Sequence, residues 1–265
     1  MSFPHRHQWR DAALAAASRA ATFIAEEARA HRDIPWESKS PTDFVSRVDI
    51  GAEERIRDAL HQAIPGLRIV GEELGADDHP EDGLVAIVDP LDGTTNFLHG
   101  FPSYGVSICI AQDGIPVAGV VHDVARGGVY HATAGDGAFV DGERLQVSPI
   151  ADPVRALIGT GFPFRDVSYA ERYLGQMHRL MPLVSGMRRA GSAALDLADV
   201  ARGRFEAFWE HWLNPWDHAA GLLLVREAGG RVTDYEGREA RVIGGPIVAS
   251  NGHLHHWFLD ILNAA

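Results

Sequence analysis

The stretch Leu84-Val85-Ala86-Ile87-Val88-Asp89-Pro90-Leu91-Asp92-Gly93-Thr94-Thr95-Asn96-Phe97 decides how the rest of the chain is read. Its first five residues are a continuous apolar run, the pattern of a strand buried on both faces. Two carboxylates three residues apart stand at its end and can turn to the same side. Pro90 fixes φ between them and Gly93 allows a sharp turn. Hard cations such as Mg²⁺ take carboxylate and carbonyl oxygens in such a cluster, and Leu91 can add its backbone oxygen. The amides of Gly93, Thr94 and Thr95 can open a short helix, and a helix start attracts phosphate.

Two further acids stand at comparable points. Gly71-Glu72-Glu73 follows the apolar run Leu67 to Val70. Trp216-Asp217-His218-Ala219-Ala220-Gly221 opens a helix expected over Pro215 to Ala228, with Asn214 as cap, Pro215 at its first position and Gly229 at its end. Site residues in layered α and β proteins gather at such ends. Taken singly, each has a structural reading: Asp217 as a cap, Glu72 and Glu73 as a solvated turn, Asp-Pro-Leu-Asp-Gly as a tight turn.

Around these stretches the periodicity predicts an amphipathic helix from Trp9 to Ala28 and a second starting near Asp49 as its cap. Strands are expected over Tyr104 to Ala111 and Ile115 to Val121, joined by the hairpin signal Asp113-Gly114, with more turns at Gly135, Asp136-Gly137 and Asp141-Gly142. This first part reads as an antiparallel meander. After Pro149 the pattern changes. Strands near Ala156 to Thr160, Phe205 to Trp209 and Ile247 to Ser250 alternate with helices near Tyr169 to Leu180, Ser192 to Val200 and His253 to Leu262.

With 265 residues, 46% of them hydrophobic, the chain can bury a sizeable core, and its net charge of −12 argues against a nucleic-acid partner. Cys109 is the single cysteine, so no intramolecular disulfide forms, which fits a reducing compartment. No apolar run approaches a membrane span, and the run Ala12 to Ala17 is too short for a signal peptide. A cytoplasmic protein is expected. No Gly-x-Ser-x-Gly elbow or phosphate-binding Gly-rich loop of the nucleotide-hydrolysing type occurs. His253, His255 and His256 look like a metal cluster but read better as ordinary residues of the last helix. Trp209, Trp212 and Trp216 read as packing residues and Cys109 as inert.

These segments resemble the inositol monophosphatase family. Asp89 to Phe97 looks like its first signature and Trp216 to Gly221 like its second. Lys39-Ser40-Pro41-Thr42-Asp43-Phe44-Val45-Ser46-Arg47-Val48-Asp49 is similar to its early segment, Gly191-Ser192-Ala193-Ala194 and Glu210 to its substrate-side segments, and Arg188-Arg189 to the bacterial form. The resemblance covers essentially the whole chain. It implies an α+β fold, a layered α/β/α/β/α sandwich of the sugar phosphatase type. One domain over 1–265 is implied, with an α+β part over about 1–148 and an α/β part over about 149–265. It further implies a lithium-sensitive phosphatase that works on a small phosphate monoester with two or three Mg²⁺ ions, as a homodimer. Carried over, Glu72, Asp89 and the Leu91 carbonyl would hold one ion. Asp89, Asp92 and Asp217 would hold a second, and Glu72 would help with a third. Thr94, paired with Asp49, would orient and help deprotonate the attacking water. Asp92, Gly93, Thr94, Arg188, Gly191, Ala193, Glu210 and Asp217 would meet substrate. Inositol 1-phosphate is the leading substrate. Histidinol phosphate, fructose 1,6-bisphosphate and 3′-phosphoadenosine phosphates are the enzymatic alternatives, and a regulatory scaffold is the non-enzymatic one. Asn214 replaces a His of animal members, which touches substrate contacts rather than the cation ligands.

Overall fold

A computed structural model describes residues 3–30, 36–40, 43–75, 81–164 and 166–264. Pro41 and Thr42 of the early segment lie outside them. The first half runs α1 (Arg6–Ala30), β1 (Trp36–Ser40), β2 (Asp43–Ser46), α2 (Arg47–Ala63), β3 (Arg68–Gly71), β4 (Leu84–Asp92), α3 (Thr94–Leu98), β5 (Gly105–Gln112), β6 (Ile115–Asp123), β7 (Val129–Thr133), β8 (Gly137–Val140) and β9 (Glu143–Arg144). The second half runs β10 (Leu157–Thr160), α4 (Ala170–Leu180), β11 (Gly186–Arg188), α5 (Ala193–Ala201), β12 (Ala207–Leu213), α6 (Pro215–Glu227), β13 (Arg231–Thr233), β14 (Gly245–Ser250) and α7 (His255–Asn263).

Strands β3 to β9 form one sheet in sequence order, antiparallel except for the parallel pair β3 and β4. A second sheet has the order β11-β10-β12-β14-β13, and β1 pairs with β2 alone. The hairpin at Asp113-Gly114 has both residues at positive φ, 50° and 75°, as the right-handed strand twist favours.

The buried apolar runs explain the layers, because successive side chains of a strand point to opposite faces. In β4, Val85 and Ile87 join one core while Ala86 and Val88 join another. In β5, Cys109 and Ala111 face the first, Ile108 and Ile110 the second. The second core is closed by α1 and α2, the first by α5 and α6. The smaller sheet repeats the division: Phe208 faces α5 and α6, while Ala207 and Trp209 face a third core with α4 and α7. The layers are therefore α1/α2, large sheet, α5/α6, small sheet, α4/α7, the expected sandwich. Helix α6 lies between the two sheets and is buried on every side from Asp217 to Val225, where all but Asp217 and His218 are apolar or glycine.

Three local expectations change. Asp49 is not the cap of α2. Ser46 is, its Oγ accepting from Val48 N at 3.1 Å, and Asp49 sits three residues in, with Oδ2 accepting the Ser46 amide at 2.8 Å. Strand β12 runs on to Leu213, so Glu210 lies inside it rather than at its end. Strands β1, β2, β7, β8, β9, β11 and β13 are additional; most are too short to show a period. Among the described residues no helix is long and apolar enough to cross a membrane.

Candidate active site

Asp89 and Asp92 should point to opposite faces of a regular strand, being three apart. They do not, because β4 carries a bulge. Asp89 pairs with Ser107 and Asp92 with Gly105, so three steps on β4 match two on β5. Pro90, which has no N–H for the ladder, lies inside the bulge. Gly93 then turns the chain at φ 94°, where a Cβ would stand 2.8 Å from Ser103 O. Strand β3 runs parallel to β4 and its last residue, Gly71, pairs with Val88, which sets Glu72 beside Asp89; the Glu72 amide donates to Val88 O at 3.2 Å. Asp217 arrives from the start of α6, its Oδ2 accepting the Asn214 amide at 2.7 Å. Its cap role and its place in the site are therefore one arrangement.

Glu72, Asp89, Asp92 and Asp217, with Leu91, Gly93 and Thr94, line one cavity of about 810 Å³. Neighbouring bonds orient the acids. Asp89 Oδ1 accepts the Leu91 amide at 3.0 Å, and Asp92 Oδ2 accepts Ser192 Oγ at 2.6 Å and the Ala194 amide at 2.8 Å. Burial, then the charges of Glu72, Asp92 and Asp217, push the Asp89 carboxyl well above its ordinary range. Such a crowd of acids requires protons or cations between them, and an all-oxygen donor set suits a hard cation. Among the described residues no three His, Cys, Asp or Glu side chains stand together as a group that could hold a metal ion by themselves. Mg²⁺ keeps several waters and is completed by substrate phosphate, so the carboxylates need not enclose it.

Thr94 Oγ1 donates to Asp49 Oδ1 at 2.8 Å and lies 3.1 Å from Leu91 O. Asp49 is buried behind the cavity wall, and burial raises its carboxyl above the usual range against the opposing bonds from Ser46 and Thr94.

The opposite wall comes from the smaller sheet. Gly191, Ala193 and Glu210 line the cavity, as does Arg189, whereas Arg188 does not; its Nη1 turns to its neighbour's carbonyl, Met187 O, at 3.0 Å. Adjacent residues at a strand end face opposite ways, so one arginine of the pair reaches the site. Arg189 lies over the rings of Phe162 and Phe164, 5.6 and 5.2 Å from their centroids. Strands β10 and β12 pair Thr160 with Trp209, which sets Gly161 against Glu210; a Cβ on Gly161 would overlap the Glu210 carboxylate. Asn96 ties the two walls together, its Nδ2 donating to Ser103 O at 2.7 Å and Ala190 O at 2.8 Å. The sequence reading missed Gly161, Phe162, Phe164, Arg189 and Asn96 as cavity residues. The one available signal was the aromatic pair directly after a strand end. Trp209 packs in the core, but Trp212 is 61% exposed and lines the cavity mouth. His255 is buried between Thr233 Oγ1 and Ser250 Oγ, away from this cavity.

The sequence model of the inositol monophosphatase family matches residues 5–265. This chain belongs to that family. Family membership supports phosphatase activity. The Inositol-1-monophosphatase of Mesorhizobium japonicum (strain LMG 29417 / CECT 9101 / MAFF 303099) is 46% identical over 80% of this chain and 80% of its own. The Nus factor SuhB of Escherichia coli (strain K12) is 40% identical over 92% of each. Among solved structures, the extragenic suppressor protein suhB from Bartonella henselae superposes with a TM-score of 0.89 at 38% identity, covering 96% of this chain and 98% of that one. The family's layered fold and this chain's are the same.

Proposed function

We propose that this chain is a Mg²⁺-dependent phosphomonoesterase acting on a small polyol phosphate, inositol 1-phosphate first. The reading is carried by the convergence of Glu72, Asp89, Asp92 and Asp217 on one cavity that also holds the Thr94 hydroxyl. Glu72, Asp89 and the Leu91 carbonyl would hold one Mg²⁺; Asp89, Asp92 and Asp217 a second; Glu72 would help with a third. When bound, the cations neutralise the phosphate dianion and the departing oxygen. The chain's own residues handle the proton and the orientation. Thr94 Oγ1, its hydrogen turned to Asp49, offers its lone pairs to a water. As that water attacks, it passes a proton to Thr94 Oγ1 and the Thr94 hydrogen passes to Asp49, whose proton affinity is raised. The water oxygen bonds to phosphorus, the ester P–O bond breaks, and the alcohol leaves with a proton from solvent. The amides of Gly93 and Thr94 donate to phosphate oxygens. Glu210 accepts from substrate hydroxyls beside Gly191 and Ala193, and the guanidinium on that wall is Arg189 in place of Arg188. The same proposal has one functional domain, working in the cytoplasm as a homodimer.

The test is phosphate release from inositol, glycerol, histidinol, fructose and adenosine phosphates, with and without Mg²⁺. EDTA should abolish release and Mg²⁺ restore it; full activity in EDTA overturns the reading. The panel separates inositol 1-phosphate from histidinol phosphate, fructose 1,6-bisphosphate and 3′-phosphoadenosine phosphates. Li⁺ should inhibit. Relatives named Nus factor SuhB favour a second reading, a role through a protein partner. Capture of the same partner from lysate by the wild type and a catalytically inactive variant would support that role beside catalysis.

A further inference from the structure

Glu53 lies on α2, one turn beyond Asp49, outside the cavity wall and fully buried. A buried carboxylate is unfavourable unless its oxygens are matched. Here its backbone partners belong to one turn. Oε2 accepts the Glu73 amide at 2.8 Å, and both oxygens lie 3.3 Å from the Leu74 amide. Arg57 pairs with Oε1 at 2.8 Å and reaches Gly75 O at 3.3 Å. Gly71 closes the arrangement, since a Cβ there would overlap the Glu53 carboxylate. On the other side, the Glu72 amide is bonded to Val88 O, next to Asp89.

The turn itself is at the surface: Leu74 is 41% exposed. Water could satisfy its amides, so a buried charge is not needed to form a turn there. What the charge adds is a fixed backbone on both sides of Glu72. We infer that Glu53 is a positioning residue for the cation site: it pins the turn 71–75 so that Glu72 is presented beside Asp89, and Gly71 is the position that makes room for it. This rests on Glu72 being a cation ligand. Residues behind metal ligands typically change metal affinity or activity by about 10- to 100-fold when altered.

The test titrates Mg²⁺ into metal-free wild type, Glu53→Gln, Gly71→Ala and Glu72→Gln by calorimetry. Amide exchange of residues 72–75 is followed in the metal-free proteins. Glu53→Gln keeps the shape but sets an NH₂ against donors. It should weaken Mg²⁺ binding by about 10- to 100-fold and speed exchange of the turn, with an unchanged circular dichroism spectrum. Excess Mg²⁺ should restore kcat, which loss of fold would not allow. Gly71→Ala retains Glu53 but displaces its carboxylate, and should move both readouts the same way; it decides the matter if Glu53→Gln does not fold. Both variants binding Mg²⁺ like wild type, while Glu72→Gln binds weakly, overturns this inference alone. Wild type that binds no Mg²⁺ overturns the functional reading and the inference together.

Discussion

At the scale of the residue, Asp49 and Asp217 share one device. Each sits in the first turn of a helix, where a negative charge is favoured, and each returns a carboxylate oxygen to a backbone amide just before that helix, Ser46 and Asn214. The bond fixes the side chain, and the fixed side chain serves the site. Asp217→Asn keeps an acceptor for the Asn214 amide and removes the charge. Its melting temperature should change little, while kcat falls by about 10²- to 10³-fold, the loss typical of removing one contact to developing charge. A near-normal kcat would return Asp217 to capping alone. Thr94→Ala and Asp49→Asn should each lower kcat by about 10²- to 10⁴-fold, and the double variant should cost no more than the worse single, because the 2.8 Å bond makes them one unit. Additive losses in a stopped assay at saturating substrate would separate them.

Between elements, the site depends on two local irregularities. One is the bulge of β4 that brings Asp89 and Asp92 to one side. The other is Gly161, at the end of β10, which leaves room for Glu210 on β12. Glu210→Gln should lower kcat/KM for inositol 1-phosphate by roughly 10- to 150-fold, the worth of a charged acceptor meeting a hydroxyl, and leave p-nitrophenyl phosphate nearly unaffected. Gly161→Ala should show the same split with Glu210 intact, since the added methyl displaces the carboxylate; equal loss on both substrates would place the effect in the chemistry. The apolar runs at Leu84 to Val88, Tyr104 to Ala111 and Ile115 to Val121 announced their strands, because burial on both faces leaves little room for polar residues, Ser107 being one. Asp89, Asp92, Glu72 and Asp217 were legible as acids at element ends. Strand β11, with three residues, was not, and of β7 to β9 only the turns at Asp136-Gly137 and Asp141-Gly142 were, because strands this short show no period of their own. Whether Arg188 or Arg189 faces the cavity turns on strand parity at an edge, and Gly161 acquires meaning only through a strand nearly fifty positions later.

Taken whole, the molecule is organised about α6. His218 on that helix is fully buried, its Nε2–H donating to Ile243 O at 3.0 Å; burial holds its pKa down to about 4. The folded state therefore keeps it neutral, and the unfolded chain binds the extra proton below pH ~6.5. Its contribution is full above that pH and is lost as pH falls toward about 4, on the order of 3 kcal/mol in all. Melting temperatures recorded in EDTA should fall less steeply between pH 6.5 and 4 for His218→Gln than for wild type. Identical slopes would mean another group governs acid unfolding. The difference between variants is the quantity to read, because Asp89, with its raised pKa, acts in the opposite direction. The packing of α6 also has a consequence for a chain still on the ribosome. Val85, Ile87, Cys109 and Ala111 in the first half share one core with Leu197, Leu222 and Leu224 in the second. Until α5 and α6 have emerged, the large sheet presents that oily face to water without the helices that cover it. The finished protein is therefore preceded, at every round of synthesis, by a sticky half-made one, and a message cut short near codon 148 should deliver aggregate rather than a smaller working enzyme.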